Sequence, residues 1–170
     1  AGNPNALIAA FSASMQDPKN YPAFPESVRR EIWQEVAETA DQYNKPGQFT
    51  ALIGYEWTVA VRGNNLHRVV VYRDGADKVA QLPPFSGQDS LDPRDLWGAL
   101  DRYEKKTGGE VMAIGHNGNI SNGMMFPNET IDGKPLTRKY AETRSRWEPI
   151  YEVTQVKGDG EAHPKLSPTD

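Results

Sequence analysis

The sequence contains no cysteine and only three histidines among its 170 residues. The absence of cysteine excludes disulfide bonds, thiolate zinc sites and cysteine nucleophiles. No apolar run approaches the roughly 20 residues that a membrane-spanning helix needs, so we expect a soluble protein without a membrane partner. The phosphate-binding patterns G-x-G-x-x-G and G-x-x-x-x-G-K-[ST] are also missing. Side-chain ligands for zinc, manganese or iron in this chain are therefore expected to be carboxylates and the three imidazoles.

The sequence also lacks an excess of positive charge. Lys and Arg number 19 against 23 Asp and Glu, which gives a net charge of −4, and no dense basic patch is present. We therefore expect no nucleic acid partner. The composition, with 37% hydrophobic residues, four Trp and seven Tyr, is typical of a folded globular protein. The length predicts a single domain over residues 1–170, and the composition leaves its cellular compartment open.

Apolar periodicity and capping residues predict four helices. Asp92 followed by Pro93 is a typical helix start, and Gly108 marks the end of the same helix. The other helices are predicted from apolar residues at helical spacing or from a start signal at Pro4. The predicted helices cover residues 6–15, 28–43, 93–107 and 138–147.

Four apolar segments are predicted to form strands, at residues 49–55, 66–72, 111–115 and 150–156. The first is apolar at nearly every position, which favours a central strand buried on both faces. The link over residues 58–65 is too short for a helical crossover, so the second strand returns antiparallel. The last two follow helices, which predicts strands parallel to the first. The fold class is therefore α/β, with a mixed sheet of parallel strands and one antiparallel return.

Three potential metal ligands are predicted to meet at one edge of this sheet. Glu56 stands at the exit of the first strand, His67 at the entrance of the second, and His116 directly after the third. Ligands bind at the carboxyl ends of parallel strands in α/β folds. Imidazole and carboxylate are natural ligands of zinc, manganese and iron(II). The predicted accessory residues at this edge are Asn117, Glu152, Glu161 and His163.

Each of these residues also has a purely structural interpretation. Glu56 is as well explained by an ion pair with Arg62, Arg68 or Arg73. A histidine such as His67 is more often a hydrogen-bonded residue of the protein interior or rim than a ligand. The segment that holds Glu161 and His163 has the composition of a solvated turn. Both interpretations stay open at the level of the sequence.

Several segments together resemble the DUF3604 family of uncharacterised bacterial proteins, which is similar to the PHP (polymerase and histidinol phosphatase) superfamily. The resemblance spans residues 33–164 and rests on the segments FTALIGYEWT, NLHRVVVYR, GHNGN, YEVTQ and EAHP. It implies a distorted (β/α) barrel with a divalent metal cluster of manganese, zinc or iron at the carboxyl edge of its strands. It also implies a small-molecule substrate, with a phosphoester as the expected class.

The resemblance assigns roles to individual residues. Glu56 matches a glutamate that bridges metals, His67 the histidine that follows it, and His116 a later histidine. Glu152 lies where PHP proteins often have a strand glutamate, and the resemblance does not make it a ligand. PHP proteins also carry an early His-x-His and a late Asp-x-His, and this sequence has neither.

Because these two motifs are missing, we expect the chain to be a segment of a larger PHP-like barrel. Such a segment leaves sheet edges to be paired, which predicts association with the missing barrel segments or homo-oligomerisation. The first functional hypothesis is therefore part of a metal-dependent hydrolase of the phosphoesterase type. The alternative is a non-catalytic structural or binding module derived from the same fold.

Overall fold

The computed structural model describes residues 24–156, 158–160 and 165. The helix predicted over residues 6–15 lies outside the described residues. The helices of the described part are α1 (Glu26–Tyr43), α2 (Ala76–Val79), α3 (Pro93–Thr107) and α4 (Arg138–Trp147), and a 3₁₀ turn covers Gly118–Ile120. Its strands are β1 (Ile53–Trp57), β2 (Ala60–Val61), β3 (Asn64–Asn65), β4 (Arg68–Tyr72), β5 (Val111–Gly115), β6 (Ile150–Tyr151), β7 (Thr154–Gln155) and β8 (Gly158–Asp159).

Helix α3 begins and ends where its capping residues predict. The Asp92 side chain accepts a hydrogen bond from the backbone N–H of Arg94 at 2.9 Å, and Pro93 occupies the first turn. Gly108 ends the helix in the left-handed conformation, with φ at 63°. Capping of this kind contributes about 1 kcal/mol, and burial of one face against the sheet provides most of the remaining stability.

Helix α1 confirms the predicted helical segment but buries few of the residues that defined the pattern. Its buried residues are Trp33 and Ala37, whereas Ile32 and Val36 are exposed. The Trp33 indole donates a hydrogen bond to the Val79 carbonyl oxygen at 3.2 Å. Trp33 is therefore the main aromatic contact of this helix, and Asp41 adds a second link by accepting a hydrogen bond from the Ala76 backbone N–H at 2.7 Å. None of the described helices is long and apolar enough to cross a bilayer.

Four strands form a mixed sheet in the order β1-β4-β5-β6. Strand β4 runs antiparallel to both β1 and β5, while β6 runs parallel to β5. The predicted antiparallel return and the common direction of β1 and β5 are therefore confirmed. The described strands form no closed barrel, and two further strand pairs, β2 with β3 and β7 with β8, are short hairpins.

The structure corrects the predicted position of the first strand. Strand β1 starts at Ile53 rather than at residue 49, and Phe49 and Leu52 are exposed. It also lies at the edge of the described sheet instead of at its centre. The apolar run was misleading because only alternate residues of β1 pack into the core.

The predicted strand over residues 150–156 is also shorter in the structure. Only Ile150 and Tyr151 pair with β5, and the chain then turns into the β7–β8 hairpin. Glu152 consequently lies directly after a strand that is parallel to β5, next to the residue that follows β5. This position places the Glu152 carboxylate beside His116.

The hydrophobic core lies on one face of the sheet. Strand residues alternate between the two faces, so Val70 and Ala113 are fully buried while Val69 and Ile114 are only half-buried. Every described helix contributes to this core. Its buried members include Trp33, Ala37, Ile53, Trp57, Val70, Tyr72, Val79, Leu96, Trp97, Leu100, Tyr103, Ala113 and Trp147. The opposite face of the sheet carries Glu56 and is left for the candidate site.

A buried ion pair joins the start of β4 to the end of α4. The Arg68 Nε atom lies 3.0 Å from Glu148 Oε1, and both side chains are almost completely buried. Glu148 also accepts hydrogen bonds from the Trp97 indole at 2.8 Å and from Arg144 at 3.1 Å. Because only Pro149 separates Glu148 from the start of β6, this cluster fixes where β6 starts. It therefore also determines the position of Glu152.

Candidate functional site

Glu56 and His67 lie next to each other at the end of the β1–β4 pair. The register pairs Trp57 with Arg68, so the chain returns with His67 close to the side chain of Glu56. The Glu56 Oε1 atom lies 2.8 Å from Nδ1 of His67, and the Thr58 hydroxyl donates to the same oxygen at 2.9 Å. The Glu56 side chain keeps 40% of its surface exposed, which leaves this carboxylate accessible to a ligand.

His116 reaches the same place from β5. Its backbone N–H donates to the His67 carbonyl oxygen at 3.0 Å, which extends the pairing of β4 and β5 by one bond. Its Nε2 atom lies 4.0 Å from Oε2 of Glu56, and the two imidazole centroids are 6.4 Å apart. Each carboxylate oxygen of Glu56 therefore faces a different imidazole.

The accessory residues Asn117 and Glu152 surround the far side of His116. Glu152 Oε2 lies 2.8 Å from His116 Nδ1 and accepts from the Asn117 backbone N–H at 3.2 Å. The Gln155 amide donates to this oxygen at 2.9 Å and to the Asn117 side-chain oxygen at 2.6 Å. Glu161 and His163, the other two predicted accessory residues, lie outside the described residues.

Two polar residues support the site without having been predicted. Asn65 is 5% exposed, and its amide donates to the backbone oxygens of His116 and Asn117 at 3.3 and 3.1 Å. These bonds fix the turn after β5, where Asn117 has a positive φ of 58°. Thr58 orients Glu56 through its side-chain hydroxyl. The sequence signals for Asn65 were its place in a turn two residues before His67 and its position at the start of the segment NLHRVVVYR.

Among the described residues, Glu56 forms no ion pair with an arginine. Arg68 pairs with the buried carboxylate of the α4 cluster, Arg73 pairs with Glu110 at 2.8 Å, and Arg62 is exposed. The structural interpretation of Glu56 as an arginine partner is therefore not observed in this part of the chain. Its closest charged or titratable partners are the two imidazoles.

The donor chemistry of this site fits a divalent cation only in part. Two ligands of one cation lie roughly 3 Å apart, and the Glu56–His67 separation of 2.8 Å is close to that value. The Glu56–His116 separation of 4.0 Å is longer. In the described part of the chain, no group of three or more His, Asp or Glu side chains is arranged so that it could hold a metal ion. The role of these residues as metal ligands stays a prediction.

A cleft of about 430 Å³ opens beside Glu56 along the edge strand β1. Its walls are mainly apolar and include Ile32, Trp33, Val59 and Leu91. The guanidinium group of Arg29 also lines it and donates to a backbone oxygen at 3.0 Å. A volume of this size is in the range of small-molecule sites in proteins.

Comparison with known proteins places the chain in one family. Residues 5–170 match the family model described as "Protein of unknown function (DUF3604)". No curated protein and no solved structure matches the chain. Because the family model matches nearly the whole sequence, the chain belongs to the DUF3604 family of proteins of unknown function.

Proposed function

We propose that this chain is part of a metal-dependent hydrolase of the phosphoesterase type, with Glu56, His67 and His116 as ligands of divalent cations. The observation that carries the proposal is that the two oxygens of Glu56 face two different imidazoles. Imidazole and carboxylate are ligands that suit zinc, manganese and iron(II). A carboxylate that offers one oxygen to each side is suited to bridge two neighbouring cations, as in two-metal hydrolytic sites.

Glu56, His67 and His116 would hold the divalent cation, which when bound would supply Lewis acidity toward a phosphoryl oxygen. The residues of the chain provide orientation and binding. The Thr58 hydroxyl holds Glu56 in place, and the main-chain bond between His116 and His67 sets the spacing of the two rings. The apolar cleft beside Glu56 suits the organic part of a small phosphoester.

The proposal requires more ligands than the described residues supply. Glu161 and His163 are two candidates, and further segments of a longer barrel or a second copy of the chain are others. Strand β1 forms the edge of the described sheet, where another strand can be added. Such an addition would bring new side chains next to Glu56.

Metal content of purified protein tests the proposal directly. We expect the full-length protein, with the barrel segments or the second copy that complete the ligand set, to bind manganese, zinc or iron stoichiometrically, and Glu56→Ala and His116→Ala to reduce the bound amount. The matched control is Glu110→Ala, because Glu110 forms only an exposed ion pair with Arg73. Elemental analysis after dialysis against each metal gives the stoichiometry. Thermal unfolding with and without metal gives an independent measure, since a ligand of the native state raises its stability.

The metal-binding hypothesis is wrong if both site variants keep the wild-type stoichiometry. A wild-type protein that folds without metal, and whose thermal midpoint does not respond to any of the three metals, supports the non-catalytic structural module instead. Hydrolysis of a chromogenic phosphodiester by the metal-loaded protein then distinguishes a hydrolase from a protein that only binds metal.

A further inference from the structure

Glu152 contacts His116 on the side of the ring that points away from Glu56. One of its oxygens, Oε2, lies 2.8 Å from His116 Nδ1 and accepts hydrogen bonds from the Asn117 backbone N–H at 3.2 Å and from the Gln155 amide at 2.9 Å. The Glu152 side chain is only 22% exposed. Because three groups surround Oε2, this oxygen has little capacity left for a cation.

The chemistry of this contact determines where the His116 proton lies. An ionised carboxylate only accepts hydrogen bonds, so the Nδ1 atom that faces Glu152 carries a proton. In a neutral imidazole, the other nitrogen is then the one with the free lone pair. That nitrogen is Nε2, the atom that lies 4.0 Å from Oε2 of Glu56. The ring therefore presents its acceptor nitrogen to the candidate site.

The backbone places Glu152 where it can have this effect. Strands β5 and β6 are parallel, and Gly115 pairs with Tyr151, so the next residues, His116 and Glu152, lie side by side. The Glu152 N–H also donates to the Gly115 carbonyl oxygen at 3.3 Å. The contact thus follows from the register of the sheet and does not depend on a flexible loop.

We propose that Glu152 is a positioning residue that fixes the tautomer and the ring orientation of His116, so that Nε2 faces Glu56 and is available to a cation. Its consequence for metal binding rests on the proposed function, whereas the tautomer itself does not. Carboxylate partners of metal-ligating histidines typically change metal affinity by roughly 10- to 100-fold when they are removed.

Nitrogen-15 NMR of the metal-free full chain tests the assignment, because the coupling pattern of each ring distinguishes the two tautomers. The chain has three histidines, so single His→Gln variants assign the signals. At about pH 8, where an ordinary imidazole is neutral, we expect wild-type His116 to carry its proton on Nδ1. Glu152→Ala should shift the proton toward Nε2, whereas Glu152→Gln, which keeps an acceptor oxygen, should retain the wild-type tautomer.

Titration with manganese or zinc alone gives the second readout. We expect metal affinity to fall roughly 10- to 100-fold in Glu152→Ala, to fall less in Glu152→Gln, and to stay unchanged in the exposed control Glu110→Ala. An unchanged tautomer in Glu152→Ala, or a wild-type His116 protonated on Nε2, overturns the positioning role whether or not metal binds. A tautomer shift in a full-length protein that binds no metal supports the positioning role and overturns the proposed function.

Discussion

Replacement of Glu148 by alanine is expected to destabilise the protein strongly. Glu148 is the shared acceptor of Arg68, Trp97 and Arg144 between β4, α3 and α4. Its removal leaves the buried Arg68 guanidinium without a counter-charge and the Trp97 indole N–H without its acceptor. The expected effect is therefore much larger than that of a surface ion pair.

The magnitude follows from burial. The side chains of Arg68 and Glu148 are 2% and 3% exposed, and loss of one partner of such a pair costs about 3–5 kcal/mol. The unsatisfied indole N–H accounts for about 1–3 kcal/mol of this amount. Arg144 is more exposed and regains water, so it contributes little. For a chain of this length, the total corresponds to a fall of roughly 6–20 °C in Tm.

Urea unfolding followed by tryptophan fluorescence measures the change. The matched control is Glu142→Ala in the same helix, because Glu142 pairs with Arg138, which is 92% exposed, and should cost no more than about 1 kcal/mol. The double variant Arg68→Met with Glu148→Leu should recover part of the lost stability, because it leaves no buried charge unpaired although the Trp97 indole N–H still lacks its acceptor. The reasoning is refuted if Glu148→Ala and Glu142→Ala destabilise the protein equally.

Two further predictions concern other parts of the structure. Burial opposes ionisation of Asp74, but hydrogen bonds from the Glu110 backbone N–H and Lys78 outweigh it and lower the pKa of Asp74. The stability gained is present above the unfolded-state pKa of about 3.9 and is lost as the pH falls through the folded-state pKa. Urea unfolding should therefore show Asp74→Asn to be about 1–3 kcal/mol less stable than wild type at neutral pH, with a gap that closes in acid; a gap independent of pH contradicts this. Gly118→Ala should lower Tm because its Cβ would overlap the Tyr151 hydroxyl, and Tyr151→Phe should restore part of the loss if that overlap is the cause.

The helices were the most predictable part of the fold because their ends are set by local chemistry. Asp92, Pro93 and Gly108 determine the bounds of α3 through backbone bonds and conformation within a few residues. Strands were harder, since their place in the sheet depends on distant partners. An apolar segment is compatible both with a central strand, which has a neighbour on each side, and with an edge strand, which has one. The segment at residues 49–55 therefore could not show that β1 lies at the edge of the described sheet.

The meeting of Glu56, His67 and His116 was predictable for a different reason. It follows from strand direction and order, which short connections and crossovers constrain. The hydrogen bonds around these residues were not predictable, because the Thr58 hydroxyl and the Asn65 amide make contacts that no periodicity describes. The sequence therefore indicates which side chains converge, and the structure adds how each one is oriented.

The main-chain bond between His116 and His67 has a consequence for how related chains can vary in length. The spacing of the two rings is tied to the ladder between β4 and β5, so it does not depend on which apolar residues fill the core. Successive residues of a strand point to opposite faces of the sheet, so an insertion or deletion of one residue within β4 would move His67 to the core face and Arg68 to the face that carries Glu56. The Arg68 guanidinium would then lie in the candidate site and the His67 imidazole in the core. We therefore expect relatives to accept length changes in the β2–β3 hairpin and to reject them between His67 and Tyr72.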